Sequence, residues 1–203
     1  MTIQWNLQSN LSSIQRIHIL IQNKQNHFQR TETIADISST NYTIENLRPN
    51  TDYIIYVSCS TDSVYYSSNK ISVRTSESLP SSAPRNIQLQ LVTKTSLSIQ
   101  WDSVLANETN GQILAYKINC LSVNESNSIY LDDISADAKG LFVKNLMENI
   151  EYCITMAAKT RAGFGPYSAP ICIVMSKINT HKISSIFSNR FVFSRREILE
   201  SQS

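Results

Sequence analysis

The chain has 203 residues, of which 41% are hydrophobic and 17% charged, a composition that excludes both a disordered chain and a membrane-spanning one. Its net charge is +2, and residues 178–203 account for the whole excess. The neutral remainder lacks the concentrated basic face that nucleic acid requires, so we expect no nucleic-acid partner. The length suits one large domain or two small ones.

The chain opens at Met1 directly with strand-like sequence, without the basic start and apolar stretch of a secretory signal. The most apolar part of the tail, residues 183–193, is shorter than the roughly 20 residues that cross a bilayer. From the residues alone we therefore expect a fragment with neither a signal peptide nor a transmembrane helix of its own.

Short runs of alternating apolar and polar residues follow one another along the chain. In order, their apolar positions are Ile3 and Trp5; Ile17, Ile19 and Ile21; Tyr53, Ile55 and Val57; Ile71 and Val73; Leu97, Ile99 and Trp101; Tyr116 and Ile118; Tyr152, Ile154 and Met156; and Ile171 and Ile173. A period of two indicates half-buried antiparallel strands. Several such strands in about 100 residues predict a two-sheet sandwich.

The two halves of the chain repeat one another. Trp101 follows Trp5 by 96 residues, Tyr152 follows Tyr53 by 99, and a leucine precedes each tyrosine by six positions. A tyrosine placed after such a crossover can hydrogen-bond the backbone of the corner, as in Greek-key sandwiches. Two positions after each tyrosine stands an isoleucine, where an antibody-like domain has the cysteine of its inter-sheet disulfide.

These motifs resemble fibronectin type III domains, which have an immunoglobulin-like fold, over about residues 1 to 177. The resemblance is carried by Leu47-Arg48-Pro49-Asn50-Thr51-Asp52-Tyr53 in the first half and, in the second, by the stretch from Tyr152 through Ala158 to Gly163-Phe164-Gly165-Pro166-Tyr167-Ser168. The second half departs from the pattern at Glu148 and Ile150, which replace the proline and threonine of the crossover. The first half has no glycine-rich loop.

The resemblance implies an all-β chain of two tandem Greek-key β-sandwiches. We expect domain one at residues 1–76, a linker at 77–83, domain two at 84–177 and a disordered tail at 178–203, with an amphipathic helix as the alternative for the tail. Domain one starts at the family's second strand, so we expect it to lack its N-terminal strand and to be the less stable domain. Pro80 in the linker and Pro84 directly after it restrict the hinge.

The four cysteines fall into two groups. Cys59 and Cys120 have inward strand parity, so we expect them to be small buried core residues. Cys153 and Cys172 have outward parity on strands expected to be neighbours, and a disulfide between them requires a register that brings their Cα atoms within about 7 Å. The even number of cysteines by itself leaves the compartment open.

The sequence contains no catalytic constellation that we recognise. The three histidines lack the spacing of a zinc site, and no Gly-x-Ser-x-Gly motif is present. We expect the adjacent carboxylates Asp132 and Asp133 to point to opposite sides of a solvated loop. Gly163 and Gly165 lack the third glycine and the helix of a dinucleotide site, and we expect both to supply positive φ angles in a hairpin. We expect no enzyme, metal, cofactor or small-molecule substrate.

Four sequons are candidate glycosylation sites, at Asn10, Asn41, Asn107 and Asn124. Composition alone predicts about four, so only their placement in expected loops or at outward strand positions is informative. Two loops are candidates for protein binding: Val64-Tyr65-Tyr66 in domain one, and the loop with Arg161, Phe164 and Tyr167 in domain two. Exposed aromatic residues and arginine are common anchors of protein interfaces.

The resemblance implies a non-catalytic binding and spacer segment of an extracellular adhesion molecule or cell-surface receptor, similar to Sidekick-like and Dscam-like proteins and receptor tyrosine phosphatases. The implied partner is a protein, homophilic or heterophilic, and contact with a membrane would come only through other parts of the parent protein. Two alternatives are an intracellular sarcomeric-type array and an accessory module of a larger enzyme. The chain has neither an Arg-Gly-Asp tripeptide nor a Trp-Ser-x-Trp-Ser signature.

Overall fold

The computed structural model describes residues 1–6, 14–61, 64–123 and 127–176, and the regular secondary structure of these residues consists of β-strands. Domain one contains β1 (Thr2–Gln4), β2 (Arg16–Asn23), β3 (Gln29–Ile34), β4 (Asn41–Thr43), β5 (Asp52–Ser60), β6 (Tyr65–Ser67) and β7 (Ile71–Arg74). Domain two contains β8 (Arg85–Thr93), β9 (Ser96–Asp102), β10 (Ala115–Ser122), β11 (Ile129–Ser135), β12 (Gly140–Val143), β13 (Glu151–Thr160), β14 (Gly163–Phe164) and β15 (Ile171–Val174). The predicted all-β class is confirmed.

Each domain is built from two antiparallel sheets that enclose a core. In domain one, β1 pairs with β4, and the second sheet has the order β3-β2-β5-β6, with β7 also paired to β5. Domain two repeats this arrangement as β12-β9-β8 and β11-β10-β13-β14, with β15 also paired to β13. The predicted pair of tandem sandwiches is confirmed.

The alternating sequence pattern explains which side chains form the core. Along β2, Ile17, Ile19 and Ile21 are buried while the residues between them are partly exposed, because successive side chains point to opposite faces of a strand. The buried core of domain one is Ile3, Ile17, Ile19, Ile21, Ile34, Ile44, Tyr53, Ile55 and Cys59. That of domain two is Leu97, Ile99, Trp101, Val104, Tyr116, Ile118, Cys120, Val143, Leu146, Tyr152, Ile154, Met156, Ala158 and Met175.

The first sheet of domain two has one strand more than its counterpart in domain one. β8 pairs along β9, and its side chains Ile87, Leu89 and Leu91 pack against the core. Among the described residues of domain one, β1 pairs with β4 alone. The described part of domain one therefore begins with the counterpart of β9, and within residues 1–6, 14–61 and 64–76 no strand pairs with the other edge of β1.

A buried tyrosine closes the crossover between the two sheets of each domain. The Tyr53 hydroxyl accepts a hydrogen bond from the Arg48 amide at 3.0 Å. The Tyr152 hydroxyl accepts one from the Met147 amide at 3.1 Å. The predicted corner is thus present in both domains, although domain two lacks the proline and threonine of the first crossover.

Two asparagines with positive φ shape each of these crossovers. The φ angles are 56° at Asn46 and 48° at Asn50, and 62° and 60° at Asn145 and Asn149, which lie 99 residues further on. Asparagine tolerates the left-handed region because its short side chain can hydrogen-bond locally. The backbone path of the corner is therefore repeated in both domains.

Replacing Tyr152 with phenylalanine should lower the free energy of unfolding of domain two by about 1 to 3 kcal/mol, because the Met147 amide loses its hydrogen-bond partner in a partly buried position. Urea unfolding, monitored by hydrogen exchange of the β13 amides, would measure the loss. Tyr130→Phe is the control, since Tyr130 is 62% exposed and lies on β11. Equal unfolding midpoints for the two variants would contradict the structural role of the corner.

Candidate protein-binding site and domain junction

The aromatic residues predicted in a loop of domain one lie on an edge strand. Tyr65 and Tyr66 belong to β6 and pair with Ser60 and Cys59 at the end of β5, which corrects the expected hairpin loop. Their backbone groups complete the sheet while their side chains remain 61% and 55% exposed, and Val64 is also exposed. The result is an aromatic surface at the edge of domain one.

The three residues predicted in the matching loop of domain two have different surroundings. Arg161 is exposed in the turn after β13, and Tyr167 is exposed beyond β14. Phe164 is half-buried on β14, with the ammonium groups of Lys117 and Lys159 at 5.8 and 5.2 Å from its ring centre. Phe164 is therefore partly covered by lysine side chains of its own domain.

Two ion pairs surround Phe164, and a β-bulge creates them. Between β10 and β11 the register shifts by one residue, so that Asp132 and Asp133 lie opposite the single residue Lys117, and Asp133 has a φ of 53°. Asp132 contacts Lys117 and Asp133 contacts Lys159, each at 3.2 Å. The expected loop with opposed carboxylates was wrong, because the bulge breaks the alternation. The Asp132 carboxylate raises the pKa of Lys117 above its ordinary value.

The two glycines of the second hairpin have different roles. Gly163 has a φ of 131°, as expected for a hairpin glycine. Gly165 is not among the residues with positive φ, and the expectation for it was wrong. A Cβ atom at Gly165 would lie 2.7 Å from the carbonyl oxygen of Pro80, so glycine is needed there to let the linker approach.

Domain one holds the chain as far as Ser76. The Asn50 amide donates a hydrogen bond to the Ser76 carbonyl at 2.9 Å, and the Thr75 amide donates one to the Thr51 carbonyl at 3.0 Å. The Thr75 hydroxyl also donates to the Arg48 carbonyl at 2.6 Å. Because Arg48 and Asn50 belong to the tyrosine corner, the end of domain one is anchored to the same crossover.

Domain two binds the chain that follows. The Ser78 amide donates to the Asn110 carbonyl at 2.9 Å, and the Asn110 side-chain amide donates to the Leu79 carbonyl at 2.9 Å. The Thr160 hydroxyl, in a residue only 1% exposed, donates to the Ser78 carbonyl at 2.8 Å. The segment 77–83, which the sequence marks as a linker, therefore packs along domain two.

Glu77 completes the junction, and the sequence analysis did not identify it. Its carboxylate accepts hydrogen bonds from the amides of Gln112 and Arg161, each at 3.3 Å, and lies against Gly111. Ser76 is bonded to domain one and Glu77 to domain two, so no unbound residue lies between them. No local pattern distinguishes Glu77 from other surface carboxylates, because its partners lie more than 30 residues away along the chain.

Cys153 and Cys172 are opposite each other on β13 and β15, and their sulfur atoms are joined at 2.00 Å. Cys59 and Cys120 are free and buried in the cores of the two domains, as expected from their parity. Burial raises the pKa of the Cys120 thiol to about 11. Cys120 therefore stays protonated and unreactive near neutral pH.

Two of the four sequon asparagines lie within the described residues. Asn41 is exposed on β4, opposite Gln4 of β1. Asn107 is exposed in the turn at residues 106–108. Asn10, Asn124 and the tail at 178–203 lie outside the described residues.

Within the part of the chain that the structure describes, no three His, Cys, Asp or Glu side chains are grouped to hold a metal ion. In the same residues there is no helix of the length and apolarity needed to cross a bilayer.

Reducing the Cys153–Cys172 disulfide should lower the free energy of unfolding of domain two by about 3 kcal/mol, because the bridge closes a loop between cysteines 19 residues apart. Urea midpoints with and without reductant, followed at the β13 amides by hydrogen exchange, would measure this. The double variant Cys153→Ser/Cys172→Ser should unfold at the same urea midpoint as the reduced parent protein, and adding reductant should not change that midpoint. An oxidised protein with the midpoint of this variant would contradict the prediction.

The sequence matches the fibronectin type III domain over residues 1–74 and 82–174. Receptor-type tyrosine-protein phosphatase S of Gallus gallus is 34% identical over 139 residues, which are 67% of this chain and 9% of that protein. Human neogenin is 30% identical over 136 residues, 66% of this chain and 9% of neogenin, and sidekick-2 of Gallus gallus is 29% identical over 145 residues, 68% of this chain and 6% of sidekick-2. The chain thus spans less than a tenth of each relative. Since both halves match, the chain belongs to the fibronectin type III domain family.

Proposed function

We propose that this chain is a non-catalytic protein-binding and spacer segment from the extracellular part of a cell-adhesion molecule or cell-surface receptor. The observation that carries the proposal is the junction, where Ser76 is bonded to domain one and Glu77 and Ser78 are bonded to domain two. A junction without unbound residues restrains the angle between domains, whereas a Gly/Ser tether leaves them independent. Restraint is what a spacer requires.

Two exposed surfaces are suited to a protein partner. The first is the edge strand β6 of domain one, with Val64, Tyr65 and Tyr66. The second is the end of domain two, with Arg161 and Tyr167. Tyrosine and arginine are enriched among the residues that contribute most to binding energy, and an edge strand can also pair with an incoming strand.

The disulfide between Cys153 and Cys172 supports the extracellular placement, because such bonds persist in oxidising compartments and are rare in the cytosol. The same observation weighs against the intracellular array. A second candidate is an accessory module of a larger enzyme, favoured by the relative named as a receptor-type phosphatase. In that setting this chain has the same non-catalytic spacer role.

Replacing Thr160 with valine should broaden the distribution of distances between the domains, because it removes the hydroxyl that donates to the Ser78 carbonyl while preserving the side-chain shape. Spin labels on Gln29→Cys and Gln90→Cys, which are exposed positions in different domains, would report this by double electron–electron resonance. Unglycosylated protein is used. Thr155→Val on the same strand is the control. Distance distributions of equal width for the two variants would argue against a restrained junction.

Peptide mapping of the native protein, with thiols blocked before unfolding and no reductant, tests the placement. We expect one linked peptide pair that contains Cys153 and Cys172, while Cys59 and Cys120 react only after unfolding because both are buried. Recovery of all four cysteines as thiols would favour the intracellular alternative.

A further inference from the structure

A cleft of about 340 Å³ lies between the two domains. Its lining from domain one is Gln25, Arg48, Pro49, Asn50 and Thr51, and from domain two it is Ala106, Asn107, Thr109, Asn110 and Gly111. Apart from proline, alanine and glycine, every lining side chain carries a hydrogen-bonding group. Clefts that hold small molecules have volumes of about 300 to 1,000 Å³, so there is room for a ligand of a few rings.

One wall of this cleft is a glycosylation sequon. Asn107 and Glu108 belong to the turn at residues 106–108, Thr109 follows it, and Asn107 is exposed and lines the cleft. The neighbouring Glu108 holds the linker, since its carbonyl accepts from the Ser81 amide at 2.9 Å and its carboxylate from the Ser82 hydroxyl at 2.6 Å. A group attached to Asn107 therefore starts beside the junction itself.

We propose that Asn107 carries an N-linked glycan whose first sugar residues occupy this cleft and brace domain one against domain two. This inference rests on the proposed extracellular function. In the modification, the side-chain nitrogen of Asn107 loses one proton and bonds to the anomeric carbon of an oligosaccharide carried on a polyprenyl diphosphate. The bond from that carbon to the diphosphate oxygen breaks, and the diphosphate leaves with the electron pair.

The wall of domain one has the chemistry that sugar hydroxyls need. Gln25 offers an amide group, and Arg48 offers a guanidinium group with five N–H donors. The Asn50 amide nitrogen is a further donor, whereas its oxygen already accepts from Arg74. Among the described residues, no hydrogen bond or ion pair engages the guanidinium group of Arg48. Because Arg48 and Asn50 belong to the crossover that the tyrosine corner closes, a sugar bound to them is held against the rigid part of domain one.

The second described sequon provides the matched control. Asn41 is exposed on β4 and is not part of the cleft lining, so a glycan there starts outside the cleft. Asn107→Gln and Asn41→Gln each remove one sequon by the same substitution. Thr109→Ser keeps the sequon at Asn107 and should behave as the parent protein.

The test uses the full chain secreted from eukaryotic cells with an added leader peptide, and each variant carries the labels at positions 29 and 90. We expect glycopeptide mass spectrometry to find Asn107 occupied in most molecules. We also expect the interdomain distance distribution of Asn107→Gln to be at least twofold broader than that of Asn41→Gln. An unmodified Asn107, or equal widths for the two variants, would overturn the brace.

The two proposals fail in distinguishable ways. If the secreted protein contains the Cys153–Cys172 disulfide while Asn107 is unmodified, the glycan brace is wrong and the extracellular spacer stands. If Asn107 is occupied but enzymatic removal of the glycan leaves the distances unchanged, the brace is again wrong. If Cys153 and Cys172 are reduced in protein from the native source, the proposed extracellular spacer function is wrong, and the brace, which rests on it, is wrong as well.

Discussion

The hydrogen bond of a buried tyrosine hydroxyl determines where the chain crosses from one sheet to the other in each domain. A hydroxyl in a core must find a partner, and the nearest one for Tyr53 or Tyr152 is a backbone amide of the crossover itself. The same crossover also fixes the end of domain one, because the Asn50 amide donates a hydrogen bond to the Ser76 carbonyl. The core of domain one thereby positions the point at which the chain leaves the domain, at Ser76.

Strand β13 connects the core of domain two to the junction in the same way. Tyr152 lies near its start, and Thr160 is its last residue, bonded to the Ser78 carbonyl. Since β13 pairs with β10 on one side and with β14 and β15 on the other, the distance between these two residues is set by an inner strand of the sheet. One inner strand of domain two therefore carries both the tyrosine of the corner and the threonine that binds the linker.

Sequence reasoning succeeded where a pattern is local or repeated. The period of two identified eight of the fifteen strands of the described residues, and the offset of 99 residues between Tyr53 and Tyr152 identified the repeated corner. It failed at Asp132 and Asp133, because a β-bulge breaks the alternation without leaving a mark on composition. It also failed at Gly165, whose small size serves the approach of Pro80 from a segment 85 residues earlier.

By itself the sequence determined the all-β class, the two repeated sandwiches and the buried positions of Cys59 and Cys120, because alternation along a strand decides which face each side chain occupies. Only the tertiary structure decided that Glu77 and Ser78 bind domain two and that Asn107 faces domain one across a cleft. These contacts join residues more than 30 positions apart, and their geometry depends on how completed sheets pack. Local residue preferences carry no information on that packing.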